Sequence, residues 1–248
     1  MSGPFRVVDG PAGSLRVYTS PSPGSQGAPA LFVSHELPLA EGAAPEVGRT
    51  FPALADRLSH ESGWAVVTAT FRGAGASNGD FSIEGWLEDL RFLLDLEVEE
   101  ATPRWLAGFG LGGALALRVA AEDERVRGVA CLGTTSDPSA FAVDPEALLE
   151  RCRRSGVVRR RDFPPDLERW AIEFAELDPV AAAAALGRRS LLVVHGAEDR
   201  EVPALAALEL ADAAIGPVDL RIVPGAGHLL RADPRVVATL MGWLERQR

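Results

Sequence analysis

The chain predicts an α/β fold: a mostly parallel central sheet with helices on both faces and a short helical lid. Three observations carry that expectation. Near-continuous apolar runs alternate with longer amphipathic segments, the pattern of strands buried on both faces by crossover helices. One such run leads directly into Gly108-Phe109-Gly110-Leu111-Gly112-Gly113 and then an Ala/Leu-rich helix. One stretch, Thr134 to Leu186, holds helical pieces and no strand.

Taken in order, Phe5 to Tyr18 reads as an antiparallel edge hairpin, and the Pro/Ser/Gly-rich Ser20 to Pro29 as a turn or exposed loop. Ala30 to Ser34 is a β-rich run. Val47, Phe51, Leu54 and Leu58 recur at helical spacing, which gives an amphipathic helix over Thr50 to Ser62. Trp64 to Phe71 is a buried strand. Ile83, Trp86, Leu90, Leu93 and Leu94 mark the next helix, with Ser82 as its N-cap. Arg104 to Ala107, Val126 to Leu132, Ser190 to His195 and Leu220 to Val223 are further strands. A helix to Ala121 follows the glycine turn, and Pro203 to Ala214 and Pro234 to Arg246 supply two more. Residues 1–133 and 187–248 thus form the core, and 134–186 a lid insertion containing helices over Pro145 to Arg154 and Pro165 to Leu177.

Composition narrows the function. At 248 residues, 47% hydrophobic and 24% charged, the chain matches one soluble α/β unit. A net charge of −10 and a pI near 5.0 argue against nucleic acid and anionic membranes as partners, because both reward clustered positive charge. All 25 basic residues are arginine. With no lysine, Schiff-base chemistry and a phosphate-loop lysine are excluded. Asn78 is the sole asparagine, which argues against calcium loops. Cys131 and Cys152 form no CxxC, and Cys131 reads as a small buried hydrophobe. Neither a signal-peptide core in Met1 to Gly13 nor a membrane-length apolar run is legible, so a cytoplasmic protein is expected. The expected partner is a small-molecule substrate or ligand, with an edge strand or helix face available to pair two chains. No cofactor is called for. Nor is a metal: His35, His195 and Asp199 lack HxxxH or HExxH spacing.

Ligands on open α/β sheets bind at the carboxyl ends of strands. The polar residues standing there are His35-Glu36, Arg72, the glycine turn, Ser136-Asp137, Asp199 and His228. Turn, then acid, then histidine is the order of an acyl-transfer triad on this architecture.

Four segments carry a resemblance that spans nearly the whole chain. They are Arg72-Gly73-Ala74-Gly75-Ala76-Ser77, Gly108-Phe109-Gly110-Leu111-Gly112, Val194-His195-Gly196-Ala197-Glu198-Asp199 with Val202-Pro203 behind it, and Gly225-Ala226-Gly227-His228. In this order and spacing the chain resembles the α/β-hydrolase superfamily, near its serine-aminopeptidase-like and dienelactone-hydrolase-like branches. The resemblance implies the α/β-hydrolase fold, a nucleophile elbow at Gly110, an acid at Asp199 and a histidine at His228. It also implies oxyanion donors at the Leu111 N–H and in the loop of His35-Glu36.

Two departures sit at the centre. Gly110 stands where the family has its nucleophilic serine, so no acyl-enzyme forms at that position. His35-Glu36 replaces the family's usual His-Gly, which puts a carboxylate near the oxyanion hole. Leu111 still opens a helix and offers one donor. Three readings follow. In the first, His228 oriented by Asp199 is a general base in non-covalent chemistry on a small carbonyl or ester compound: water-mediated hydrolysis, a lyase step or an isomerase step. In the second, the chain is a pseudoenzyme that binds a small ligand. In the third, it is a serine hydrolase whose nucleophile was replaced by Gly110.

Other candidates read more simply. Glu36 is a loop carboxylate or a second charge facing His228, and His35 and His195 are structural residues beside tight turns. Asp137 is an alternative acid ranked below Asp199. Arg72 braces its own loop, and His60 is solvated. Arg151, Arg153, Arg154, Arg159, Arg160 and Arg161 form a solvated face or an anion-attracting lid. Trp86, Trp105, Trp170 and Trp243 fall at core positions. Gly108, Gly110 and Gly113 also spell G-x-G-x-x-G, but in the third α/β unit rather than the first.

Overall fold

The computed structural model describes residues 5–21, 29–96 and 102–248. Most of the loop expected over Ser20 to Pro29, residues 22–28, lies outside the described residues. Eight strands form one sheet: β1 (Phe5–Gly10), β2 (Gly13–Ser20), β3 (Ala30–Ser34), β4 (Ala65–Thr70), β5 (Arg104–Phe109), β6 (Val126–Leu132), β7 (Ser190–Gly196) and β8 (Val218–Val223). Their order is β1-β2-β4-β3-β5-β6-β7-β8. The β1–β2 and β2–β4 pairs are antiparallel and the rest parallel, so the N-terminal hairpin lies at one edge as expected.

The unbroken apolar runs reflect burial on two faces. Phe32, Val67, Leu106, Val129, Cys131, Leu191 and Val193 point into one apolar layer, beneath α2 (Ile83–Leu96) and α3 (Leu111–Glu122). Their strand neighbours Leu31, Val33, Val66, Ala107, Ala130, Leu192 and Val194 point into the other, beneath α1 (Val47–Ser62) and α8 (Pro234–Glu245). Period-two side-chain alternation therefore fills both layers, with only a few buried polar positions such as Thr68, Thr70 and Arg104 among them. Trp86, Trp105, Trp170 and Trp243 are all buried.

Several element ends shift by one to three residues from the expectation, and two of the shifts have a clear local reason. α1 begins at Val47 because a 3-10 turn over Ala44–Glu46, with Pro45 in its first turn, leads into it. β8 begins earlier than expected, at Val218, because on an edge strand the charged Asp219 stays in the ladder while its carboxylate pairs with Arg246 at 2.7 Å.

Between β6 and β7 the chain forms a 3-10 turn (Pro138–Ala142), α4 (Pro145–Ser155), α5 (Leu167–Glu176) and α6 (Pro179–Ala185). An aspartate caps each of them. Asp137, Asp144, Asp166 and Asp178 accept from the backbone N–H of Ser139, Ala147, Arg169 and Ala181, and three precede a proline. Such caps are worth about 1 kcal/mol each. α7 (Leu205–Ala213) completes the layer beside α6.

The loop after β4 is fixed from two sides. Asp89 accepts from the Arg72 backbone N–H at 2.8 Å and from its guanidinium at 2.7 Å, with the Asp89 side chain fully buried. Arg159 donates to the carbonyls of Gly73, Gly75 and Ser77, and Asp80 accepts from the backbone of Arg159 and Arg160. Arg72 therefore braces its own loop, and Arg159 ties the helical segment to it. Burial pushes the Asp89 carboxyl above its ordinary range, while the bonds from Arg72 pull it back. Arg72→Ala leaves that buried acid with the backbone N–H but without its ionic partner, and urea denaturation is expected to record a loss of about 3–5 kcal/mol.

Candidate active site

The parallel strands β3, β5, β6 and β7 place their carboxyl ends on one rim, and the loops beyond them converge there. β5 ends at Phe109 and α3 begins at Leu111, so the chain turns from strand to helix in the single residue Gly110. Its backbone (φ 52°, ψ −125°) lies where side-chain-bearing residues are strained. The Gly110 N–H donates to the Leu132 carbonyl at 2.9 Å, which pins the turn to β6. The Leu111 N–H opens α3, where the first amides have no carbonyl partner within the helix.

His228 and Asp199 meet across the loops after β8 and β7. The His228 Nδ1–H donates to Asp199 Oδ2 at 2.8 Å. Asp199 Oδ1 accepts from the backbone N–H of Glu201 and Val202 at 2.9 and 3.0 Å, and His195 Nε2 lies 3.3 Å from Oδ2. Burial pushes the Asp199 carboxyl up, but these donors, the Val202 amide and His228 first, outweigh it and hold the pKa below the ordinary value. Asp199 therefore stays ionised and fixes the His228 tautomer, which leaves Nε2 as an acceptor. The Asp199 side chain is 0% exposed and that of His228 16%, so only the imidazole is open to a ligand.

Nε2 faces Gly110. A Cβ built on Gly110 would lie 3.6 Å from it, and 3.1 Å from the Glu36 Cβ. Glu36 thus stands at the same spot as the turn and the histidine, with its carboxylate ion-paired to Arg231 Nη1. The Arg231 guanidinium also sits over the Phe51 ring at 5.9 Å. Sequence reasoning missed Arg231, whose only signal was its place three residues after His228.

His35 lies behind Glu36 and is fully buried. Its Nε2 accepts from the Phe71 N–H at 3.2 Å, so Nδ1 carries the proton and donates to the Glu36 carbonyl at 2.8 Å. Burial drives its pKa down to about 4, against the bond to Glu36 and with help from the Arg231 charge. His195 is likewise buried, and its Nε2 lies 3.0 Å from the Val202 carbonyl.

The sequence of this chain matches the profile of the Alpha/beta hydrolase family over residues 31–240. The chain belongs to that family. No curated protein matches it. Among solved structures with this fold are alpha/beta hydrolase domain-containing protein 10 from mouse (17% identity, 98% of each chain, TM-score 0.73) and Est1E from Butyrivibrio proteoclasticus, bound to ferulic acid (18% identity, 98% of this chain and 97% of that one, TM-score 0.73). An alpha-beta serine hydrolase homologue from Coxiella burnetii is another (21% identity, 100% of this chain and 98% of that one, TM-score 0.64).

Within this alpha/beta hydrolase, the remaining candidates lie outside the cluster. Asp137 caps its 3-10 turn, and Ser136 donates to Glu209. His60 is exposed. Of the arginine run, Arg159 and Arg160 are committed to the loop after β4, and Arg153 donates to the carbonyls of Arg161 and Phe163. Burial pushes both cysteine thiols up to about 12. Among the described residues no group of three His, Cys, Asp or Glu could hold a metal ion, and no helix is long and apolar enough to cross a membrane.

His35 makes stability depend on pH. The folded protein holds it neutral down to about 4, whereas an unfolded chain protonates it near 6.5. Its contribution is complete above 6.5 and is lost as the pH falls toward 4, at about 1.4 kcal/mol per pH unit. Urea titrations across that window are expected to show a slope in His35→Gln lower by that amount than in the natural chain.

Proposed function

We propose that this alpha/beta hydrolase is a hydrolase-like enzyme that acts on a small carbonyl or ester compound without forming a covalent serine intermediate. The observation that carries this reading is the His228 Nε2, oriented by Asp199 at 2.8 Å and aimed at a turn that bears no side chain. Gly110 takes the nucleophile's place. His228 is the general base, Asp199 its orienting carboxylate, and the Leu111 N–H the oxyanion donor. His35 holds the Glu36 loop, and the segment 134–186 is the lid under which the substrate sits.

In the hydrolytic form, His228 takes a proton from water as the water oxygen bonds to the carbonyl carbon. The resulting oxyanion is held by Leu111. Collapse breaks the bond to the leaving group, which receives the proton back from His228. The same base serves a lyase or isomerase step by removing a proton beside a carbonyl. Pairing with Arg231 offsets the Glu36 charge that would otherwise oppose an oxyanion.

A serine restored at the turn tests the arrangement, because an oxygen on a carbon 3.6 Å from Nε2 falls within reach of it. Gly110→Ser is expected to hydrolyse p-nitrophenyl acetate roughly a hundredfold faster than Gly110→Ser/His228→Ala. Adding Glu36→Gly should raise the rate by roughly tenfold more, since it relieves the 3.1 Å contact. Equal rates with and without His228 would mean the dyad is not set for chemistry, and the protein would then be read as a small-ligand binding module.

A further inference from the structure

β8 is the last strand of the sheet, and its backbone pattern fixes which groups face outward. The Leu191 N–H donates to the Pro217 carbonyl at 2.9 Å, and the Ala197 N–H to the Val223 carbonyl at 3.0 Å. Odd-numbered positions therefore turn their amides toward β7, and Val218, Leu220 and Ile222 turn theirs away from the sheet. The side chains divide as well. Val218 and Leu220 pack toward the apolar layer that includes Ala207 and Leu210 of α7. Asp219 lies on the opposite face, paired with Arg246 at 2.7 Å, and Arg221 shares that face.

These facts make β8 self-complementary in one antiparallel register. A two-fold axis through Leu220 pairs Val218 with Ile222 of a second copy, Leu220 with its own mate, and Asp219 with Arg221. Every outward N–H and C=O of the three even positions then finds a partner. Asp219 and Arg221 fall at the non-hydrogen-bonded positions, where facing side chains come closest. The neighbouring registers fail. An axis through Arg221 opposes arginine to arginine, one through Asp219 opposes aspartate to aspartate, and one through Ile222 sets Leu220 against Pro224, which has no N–H to give.

The surface beside the strand fits the same occupant. Leu205 and Leu208 on α7, Ile215 just after it (76% exposed) and Ile222 on β8 are large apolar side chains left in solvent. Of the outward groups, the Leu220 carbonyl accepts from the neighbouring Arg221 guanidinium at 2.8 Å, a bond that strand pairing would exchange for one to the second copy. An edge strand with apolar neighbours is a template for such pairing.

We propose that β8 pairs with β8 of a second copy of this chain, forming a homodimer with one continuous sheet across the two-fold axis. The pairing does not depend on the chemistry at Gly110.

Sedimentation velocity of the full chain tests it. The natural protein is expected to sediment as a dimer of the 26.3 kDa chain at micromolar concentration. Asp219→Arg and Arg221→Asp each place like charges across the axis twice, and each should weaken the dimer by roughly tenfold or more. The combined exchange Asp219→Arg/Arg221→Asp should restore it. Leu220→Cys provides a second readout, since Cα atoms about 5.5 Å apart across the axis admit a disulfide. The natural cysteines are buried, so an oxidant should cross-link this variant and not the parent. A natural chain that stays monomeric, a dimer indifferent to both single reversals, or one that the exchange fails to restore would overturn the proposal.

Discussion

The turn from β5 into α3 is the constraint on which the site depends. It is made in one residue, Gly110, at φ 52°, and α3 then runs hard against the end of β3. A Cβ on Gly112 would sit 2.4 Å from the His35 carbonyl oxygen, so the first turn of the helix and the His35-Glu36 loop touch backbone to backbone. Leu132 of β6 accepts the Gly110 N–H on the other side. Three strand ends are thereby locked together, and the loops carrying Asp199 and His228 close over them.

Within that frame the two carboxylates have opposite circumstances. Asp199 is shielded from solvent and surrounded by donors, which keeps it charged and makes it a fixed reference for the imidazole. Glu36 is neutralised by a single arginine brought from the far end of the chain. That pairing offsets the negative charge that Glu36 brings beside the Gly110 turn. A glycine at position 110 leaves out the Cβ that Glu36 would crowd at 3.1 Å, so Gly110 and Glu36 fit each other in space.

Much of this was legible in the sequence. Short linear motifs survive reading because their residues act where they stand: Gly225 to His228 and His195 to Asp199 deliver the dyad without distant help. The strands were legible from apolar density, though not their faces, because both faces are buried. Arg231 was not legible, since its partner lies 195 residues away and only the folded loops bring them together. The start of β8 was obscured by Asp219 and Arg221, charges that belong on an edge strand. The caps of the helical segment could have been read from aspartate preceding proline at Asp137, Asp144 and Asp178.

The proposed chemistry at the Gly110 turn needs no serine. Labelling with a fluorophosphonate probe, read by intact-mass and peptide mass spectrometry, tests it most directly. The natural chain should remain unlabelled, while Gly110→Ser should take one label at the substituted position. Stoichiometric labelling of the natural chain, at Ser34, Ser136 or any other serine, would show that a different residue had taken over as nucleophile and would contradict the account.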